Sequence, residues 1–146
     1  MMRLVVDASV AVKWLVDEDG SGAADGILEV ATELHAPRLL ASEVSNALWR
    51  KVRLGEIEPG DAGVFAASVA RMPIAWTEDE WISGEAVRLA VGLERPVYDC
   101  MYLALAHRVD ARLVTADVRF ANALAGTEHG GAIVTLDALE DEFAPR

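Results

Sequence analysis

The sequence is short of cysteine and of long apolar runs, and each shortage excludes a class of protein. Cys100 is the only cysteine, so the chain cannot form an intramolecular disulfide and is not a disulfide-stabilised secreted scaffold. No apolar stretch reaches the roughly 18 residues that would cross a membrane. The acidic Asp7 also comes too early for a secretory signal peptide. We therefore expect a cytoplasmic protein.

Basic residues are scarce as well. Only 13 Lys and Arg stand against 24 Asp and Glu, which gives a net charge of -11. Because affinity for nucleic acid depends largely on neutralising phosphates, this balance excludes a protein that coats nucleic acid in general. Any polyanionic substrate must be bound at one local site. The 146 residues contain no repeat, linker or low-complexity tract, which predicts a single domain over residues 1–146.

Short runs of residues that favour β-strands alternate with helical patterns along the chain. Strands are predicted at 3–6, 34–36, 73–76, 112–115 and 132–135, and helices at 10–16, 22–33, 43–54, 59–72, 81–93, 99–109 and 118–124. This alternation predicts an α/β fold, a three-layer α/β/α sandwich with a mainly parallel central sheet of about five strands. Ligands of such sheets bind beyond the carboxyl ends of the strands.

Four acidic residues fall where that rule predicts a ligand site. Asp7 follows the first strand directly, and Asp117 comes two residues after the fourth. Glu43 and Asp99 are each expected to open a helix, with Ser42 as the cap in front of Glu43. Any one of these acids could be an ordinary helix cap or complement a helix dipole. Together they predict a dense negative pocket, and such a pocket needs a cation.

The ligand set indicates which cation. Carboxylate oxygens favour Mg²⁺ or Mn²⁺ over zinc. The histidines show none of the spacings of zinc ligands, and we interpret them as structural or surface residues: His35, His107 and His129. The sequence also lacks a nucleophile elbow, a Walker loop and a Rossmann glycine motif. The carboxylates are therefore the candidate catalytic and metal-binding groups.

Four stretches place these acids in a recognisable order. They are Val5-Val6-Asp7-Ala8-Ser9-Val10, Ser42-Glu43-Val44-Ser45-Asn46-Ala47-Leu48, Tyr98-Asp99-Cys100-Met101-Tyr102-Leu103-Ala104-Leu105-Ala106 and Leu113-Val114-Thr115-Ala116-Asp117-Val118-Arg119-Phe120. With them the chain resembles the PIN-domain ribonucleases, and within these the VapC-type toxins of prokaryotic toxin–antitoxin pairs. The likeness runs from about Arg3 to Asp137. The Tyr-Asp helix followed by Val-Thr-Ala-Asp is its most specific part.

The resemblance implies a PIN-like fold and an endoribonuclease that uses Mg²⁺ or Mn²⁺ to hydrolyse RNA phosphodiester bonds. It implies that Asp7 and Asp99 are the primary metal ligands, that Asp117 completes the set, and that Glu43 binds a metal or its water. Three further residues match positions that support the ligands: Ser9, Asn46 and Thr115. The implied partners are a second copy of the chain, in a homodimer, and an antitoxin whose basic side chain enters the acidic pocket.

Candidate RNA contacts are few. Lys13 and Arg119 are the best of them because each lies near one of the acids in the sequence. The bases at 50, 51 and 53 are more typical of a solvated helix face. Four tryptophans could stack on bases, but their spacing on apolar stripes favours packing in the core or in an interface: Trp14, Trp49, Trp76 and Trp81.

Two other classes of function stay open. A metal-binding interaction module without catalysis would use the acids as caps or to hold a structural ion. A haloacid-dehalogenase-like phosphatase would use Asp7 as nucleophile, but it requires a second acid two residues later, where this chain has Ser9. Cleavage of RNA in Mg²⁺ would separate these alternatives from a nuclease.

Overall fold

A computed structural model describes residues 2–145 of the chain. Five strands form one sheet in the order β3-β2-β1-β4-β5, and every neighbouring pair is parallel. The strands are β1 Arg3–Val6, β2 Glu33–Pro37, β3 Ile74–Thr77, β4 Arg112–Thr115 and β5 Ile133–Thr135. The prediction of an α/β fold with a parallel five-stranded sheet is confirmed.

Helices connect the strands. They are α1 Ala8–Ala11, α2 Ser21–Val30, α3 Leu39–Arg53, α4 Pro59–Ser68, α5 Ser83–Leu93, α6 Val97–Arg108, α7 Val118–Ala125 and α8 Leu136–Phe143. Connections between parallel strands are right-handed, so the helices between β1 and β3 and those between β3 and β5 lie on opposite faces of the sheet. In the described part of the chain, no helix is long and apolar enough to span a membrane.

The starts of the two helices that carry Glu43 and Asp99 differ from the sequence predictions, and one helix was not predicted. Helix α3 begins at Leu39 and α6 at Val97, so neither Glu43 nor Asp99 opens its helix, and Ser42 is no cap. Pro96 precedes α6 and favours an extended residue at that point, which moves the start of the helix to Val97. Helix α8, which the sequence reading left out, follows β5 and is capped by Thr135.

The core lies on both faces of β1, whose Leu4, Val5 and Val6 are fully buried. Such continuous apolar runs are typical of parallel strands covered by helices on both sides. Helix α6 packs against β1, β2 and β4 and against α5, and its residues from Cys100 to Ala106 are all buried. Because Cys100–Ala106 are buried on every side, the first turn of α6 is held in place at the carboxyl end of the sheet.

Candidate active site

The sheet reverses its direction of growth at β1. The chain proceeds from β1 to β2 and β3 on one side, then returns to β4 and β5 on the other. Asp7 follows β1, and Asp117 follows the neighbouring β4 by two residues. These two acids therefore flank the switch point, where open α/β sheets bind their ligands.

Asp7 is held by three hydrogen bonds. The Ser9 hydroxyl donates to Oδ1 over 2.5 Å, the backbone N–H of Val10 donates to the same oxygen, and the Thr115 hydroxyl donates to Oδ2. Asp7 is also the N-cap of α1. Since Thr115 ends β4, these contacts join the ends of the two central strands and fix the direction of the carboxylate.

Burial gives Asp7 unusual electrostatics. Its side chain is 9% exposed, and burial raises the pKa of Asp7 from 3.8 to about 6 even though hydrogen bonds from Ser9, Thr115 and Val10 lower it. The negative charge of Glu43 raises it further. A carboxylate in such surroundings is stabilised by a nearby cation.

Asp117 is the N-cap of α7. Its Oδ1 accepts a hydrogen bond of 3.1 Å from the backbone N–H of Phe120, and its own N–H donates to the Thr115 hydroxyl over 3.0 Å. Thr115 thus contacts both Asp7 and Asp117. Asp117 is exposed, so it lies at the outer side of the site, with its second oxygen available to a ligand.

Glu43 enters the site from the second turn of α3. Its Oε1 accepts a hydrogen bond from the phenol of Tyr102, which is buried in α6. Burial raises the pKa of Glu43, and the charge of Asp99 adds to this shift, while Tyr102 and Arg50 act in the opposite direction. Burial and the charge of Glu43 raise the pKa of Tyr102 well above its usual range. Tyr102 therefore remains a hydrogen-bond donor at every physiological pH.

Asp99 lies in the first turn of α6 and pairs with an arginine. Nη2 of Arg95 donates to Oδ2 of Asp99 over 3.0 Å. The guanidinium carbon of Arg95 also lies 4.8 Å from the centre of the Phe120 ring. Arg95 therefore connects the helix that carries Asp99 to the helix that Asp117 caps.

The four carboxylates are the type of donor that a hard divalent cation prefers, but their oxygens do not converge on one point in this structure. Four carboxylates surround the carboxyl ends of β1 and β4, and oxygen ligands are those that Mg²⁺ and Mn²⁺ prefer. Within residues 2–145, however, no three Asp, Glu, His or Cys side chains form a group that could hold one ion as they stand. The ion pair of Asp99 with Arg95 is one reason, because it directs that carboxylate to an internal cation.

A cavity of about 430 Å³ opens beside the carboxylates and is lined by Ser9, Glu43, Asn46, Arg50 and Tyr98, among others. Asn46 is exposed on its wall. Larger cavities of about 550 and 590 Å³ lie elsewhere and contain none of the predicted site residues. The smaller cavity is the one adjacent to the site, because the predicted site residues Ser9, Glu43 and Asn46 line it.

The predicted RNA contacts differ in whether they already have partners within the chain. The ammonium of Lys13 lies 3.2 Å from Glu18 Oε1 and 2.6 Å from the Asp19 carbonyl, so internal partners hold it. Arg119 is exposed on α7. Of the bases on α3, Lys51 pairs with Glu18 and Glu56, whereas Arg50 lines the cavity beside Glu43.

Two of the tryptophans lie on the surface of this chain and not in its core, so for them packing in an interface stays a prediction. Trp49 is 52% exposed and Trp81 62% exposed. The guanidinium of Arg53 lies over Trp49 and that of Arg108 over Trp81. Trp14 behaves as expected, since it packs against the core and donates from Nε1 to the Ala24 carbonyl.

The sequence alone did not identify two residues of the site as functional, Tyr102 and Arg95. Tyr102 follows Asp99 by three positions within α6, and residues at that spacing share one face of a helix. This spacing could have placed Tyr102 on the face of Asp99, although its partner is Glu43. Arg95 lies before α6 begins, so helical spacing gives no signal for its contact with Asp99.

Comparison with known proteins identifies the family of the chain. The model of the PIN domain matches residues 4–125. Ribonuclease VapC3 of Pyrobaculum aerophilum is 33% identical over 122 residues, which cover 82% of this chain and 93% of the relative.

Solved structures show the same fold. A protein of Pyrobaculum aerophilum superimposes with a TM-score of 0.72 at 23% identity, covering 97% of this chain and 94% of the other. A toxin–antitoxin complex from Klebsiella pneumoniae contains a chain with a TM-score of 0.61 at 13% identity, covering 91% and 97%. The likeness to these two structures shows the fold. The match of the PIN model over most of the sequence and the 33% identity to Ribonuclease VapC3 establish that the chain belongs to the PIN-domain family and is of the VapC type.

Proposed function

We propose that this chain is a metal-dependent endoribonuclease and the toxin of a toxin–antitoxin pair. The observation that carries the proposal is the state of Asp7, which is buried, held by Ser9 and Thr115, and next to Glu43. A fixed carboxylate with an elevated pKa, at the switch point of a parallel sheet, is a costly arrangement in a protein without a ligand there. A bound cation would stabilise the charged form of Asp7.

Asp7, Glu43, Asp99 and Asp117 would hold Mg²⁺ or Mn²⁺. When bound, the ion neutralises charge on the phosphate and promotes attack by water. The chain's own groups prepare this site. Ser9 and Thr115 keep both oxygens of Asp7 in a fixed direction, and Tyr102 does the same for Glu43. Such supporting hydrogen bonds set the geometry and basicity of ligands.

The choice of RNA as substrate rests on the relative from Pyrobaculum aerophilum, which is named a ribonuclease. The phosphatase alternative has lost its support. Ser9 occupies the position where that class needs an acid, and its hydroxyl already donates to Asp7 and accepts from the Ala116 N–H over 2.9 Å. A water-activating acid cannot act from that position.

The enzyme assignment can be tested with purified protein, total RNA and a phosphatase substrate, each in Mg²⁺, in Mn²⁺ and in chelator. We expect cleavage of RNA in either metal, none in chelator, and no release of phosphate from the phosphatase substrate. Intact RNA in all three conditions would favour the non-catalytic module. Phosphate release without RNA cleavage would favour the phosphatase.

The proposed antitoxin would place a basic side chain among the carboxylates. Arg95 supports this part of the proposal, because its guanidinium pairs with Asp99 within this chain and guanidinium groups bind carboxylates in bidentate fashion. Expression of the wild-type chain should arrest bacterial growth, whereas expression of Asp7→Asn should not. Equal growth with both would contradict the toxin role. The proposed homodimer is tested by light scattering of the purified chain.

A further inference from the structure

The cavity beside Glu43 has the size of a ligand site rather than of a packing defect. Its volume is about 430 Å³, within the range of roughly 300–1,000 Å³ found for small-molecule sites. Its wall includes Ser9, which holds Asp7, and Glu43 itself. A group that fills the cavity therefore lies directly against Glu43 and against the serine that holds Asp7.

Tyr98 supplies an aromatic surface at the edge of this cavity. It is 61% exposed although it immediately precedes Asp99 in α6. Within residues 2–145 its phenol makes no hydrogen bond to the protein, in contrast to the buried Tyr102. Exposed aromatic rings of this kind serve as platforms for unpaired bases, since every base has a π-face.

Arg50 supplies the positive charge. Among the described residues no carboxylate lies within ion-pair distance of its guanidinium, although Lys51 pairs with Glu18 and Glu56 and Arg53 lies over Trp49. Arg50 and Glu43 line the same cavity, about two helical turns apart on α3. An arginine without an internal partner beside a phosphate-cleaving site can form paired hydrogen bonds to a phosphate.

Asn46 lies between Glu43 and Arg50 in helix α3. Glu43, Asn46 and Arg50 are three and four positions apart, so they share one face of α3. All three line the cavity. The Asn side chain both donates and accepts hydrogen bonds, as the edge of a base requires.

We propose that this cavity binds one unpaired nucleotide of the RNA, next to the bond that is cleaved; this inference rests on the proposed function. The base of the nucleotide would stack on Tyr98, its phosphate would bind Arg50, and the edge of the base would bind Asn46. The charges favour this occupant over a peptide of the antitoxin. A basic side chain of the antitoxin would be attracted by the carboxylates but repelled by Arg50, whereas a phosphate needs a partner such as Arg50 in a chain with a net charge of -11.

The test measures binding separately from cleavage. The Asp7→Asn protein is titrated in Mg²⁺ into fluorescently labelled single-stranded hexanucleotides, and the binding constant is taken from anisotropy. Adding Tyr98→Ala should weaken binding about 30-fold, the middle of the range for loss of one stacked base. Tyr98→Phe should restore it, because stacking needs the ring and not the hydroxyl.

Adding Arg50→Ala should weaken binding and reduce the salt dependence by about one phosphate contact. Arg53→Ala is the matched control from the same helix and should leave both quantities unchanged. Hexanucleotides with a single abasic position identify the stacked base. At one position, loss of the base should weaken binding to the protein that retains Tyr98 but have little effect on binding to the Tyr98→Ala variant.

Two outcomes would overturn the proposal. Unchanged RNA binding in both Tyr98→Ala and Arg50→Ala would exclude a nucleotide from the cavity. If these variants bound RNA normally but bound the antitoxin less tightly, the cavity would be a peptide site. Failure of the proposed function is distinguishable from both, because wild-type protein would then leave RNA intact even where Asp7→Asn binds hexanucleotides through Tyr98.

Discussion

The phenol of Tyr102 donates a hydrogen bond to Oε1 of Glu43, a residue 59 positions away in the sequence. The contact ties the buried helix α6 to α3 and orients a carboxylate that faces Asp7 and Asp99. Tyr102 is 2% exposed, so the surrounding core holds its ring in place. Glu43 thus keeps its position without being a cap of its helix.

Tyr102→Phe should reduce RNA cleavage by about 10- to 100-fold, the range for loss of a group that supports a metal ligand. The ring still fills its space, so we expect only about 1 kcal/mol less stability toward unfolding. Initial cleavage rates and thermal unfolding of the same samples measure both effects. Tyr98→Phe is the control that leaves Glu43 untouched. Full activity in Tyr102→Phe would show that this hydrogen bond does not prepare the site.

Thr115→Val should destabilise the protein by about 1–3 kcal/mol, because it leaves two polar groups short of a partner. The Thr115 hydroxyl donates to Asp7 and accepts from the Asp117 N–H, and valine keeps the shape while removing both bonds. Urea unfolding in chelator gives the free-energy change. Thr115→Ser retains the hydroxyl and should lie much closer to wild type. Equal stabilities of the valine and serine variants would contradict this account of Thr115.

The raised pKa of Asp7 predicts how stability depends on pH without metal. Its folded pKa of about 6 exceeds the ordinary 3.8, so the folded protein binds this proton more tightly than the unfolded chain does. Its contribution is complete below about pH 4 and is lost as the pH rises through about 6. The shift corresponds to about 3 kcal/mol.

The comparison of wild type with Asp7→Asn isolates this effect, since the other titrating groups are common to both. In chelator, the stability of Asp7→Asn relative to wild type should increase between pH 4 and 6 and then level off. Chemical unfolding at several pH values gives the difference. A difference that is independent of pH would mean that Asp7 titrates normally.

Arg95→Gln should strengthen binding of Mn²⁺ by several-fold, because the ion no longer competes with a guanidinium for Asp99. The ion pair is partly exposed, with side-chain exposures of 23% and 35%, so the gain should be limited to about 1 kcal/mol. Calorimetric titration with Mn²⁺ measures it. Weaker binding in Arg95→Gln would instead mean that Arg95 holds Asp99 in the orientation that the metal needs.

The strands and the placement of Asp7 and Asp117 could be predicted from the sequence because their signals are local. The apolar runs of β1 and β4 mark buried parallel strands, and an acid at the end of such a strand lies at the ligand-binding edge. The starts of α3 and α6 were harder, because the acids expected to open these helices lie inside them. The signal for α8 was present in the spacing of Leu136, Leu139 and Phe143, which is typical of one helix face.

Contacts between distant elements could not be predicted in this way. The hydrogen bond of Tyr102 to Glu43 depends on how α6 packs relative to α3, and no local pattern contains that information. The same holds for Arg95, whose guanidinium contacts Phe120 as well as Asp99. The metal, the RNA substrate and the homodimer stay predictions, as do the roles assigned to Asn46, Lys13 and Arg119.

The central claim is that Asp7 is a metal-binding catalytic carboxylate, and the initial rate of RNA cleavage in Mg²⁺ tests it most directly. Wild type, Asp7→Asn and the matched surface variant Asp25→Asn are compared at equal concentration, with and without chelator. We expect Asp25→Asn to match wild type and Asp7→Asn to lose more than about 100-fold, beyond the range for a supporting residue. Cleavage by Asp7→Asn at the wild-type rate, or cleavage that persists in chelator, would contradict the account.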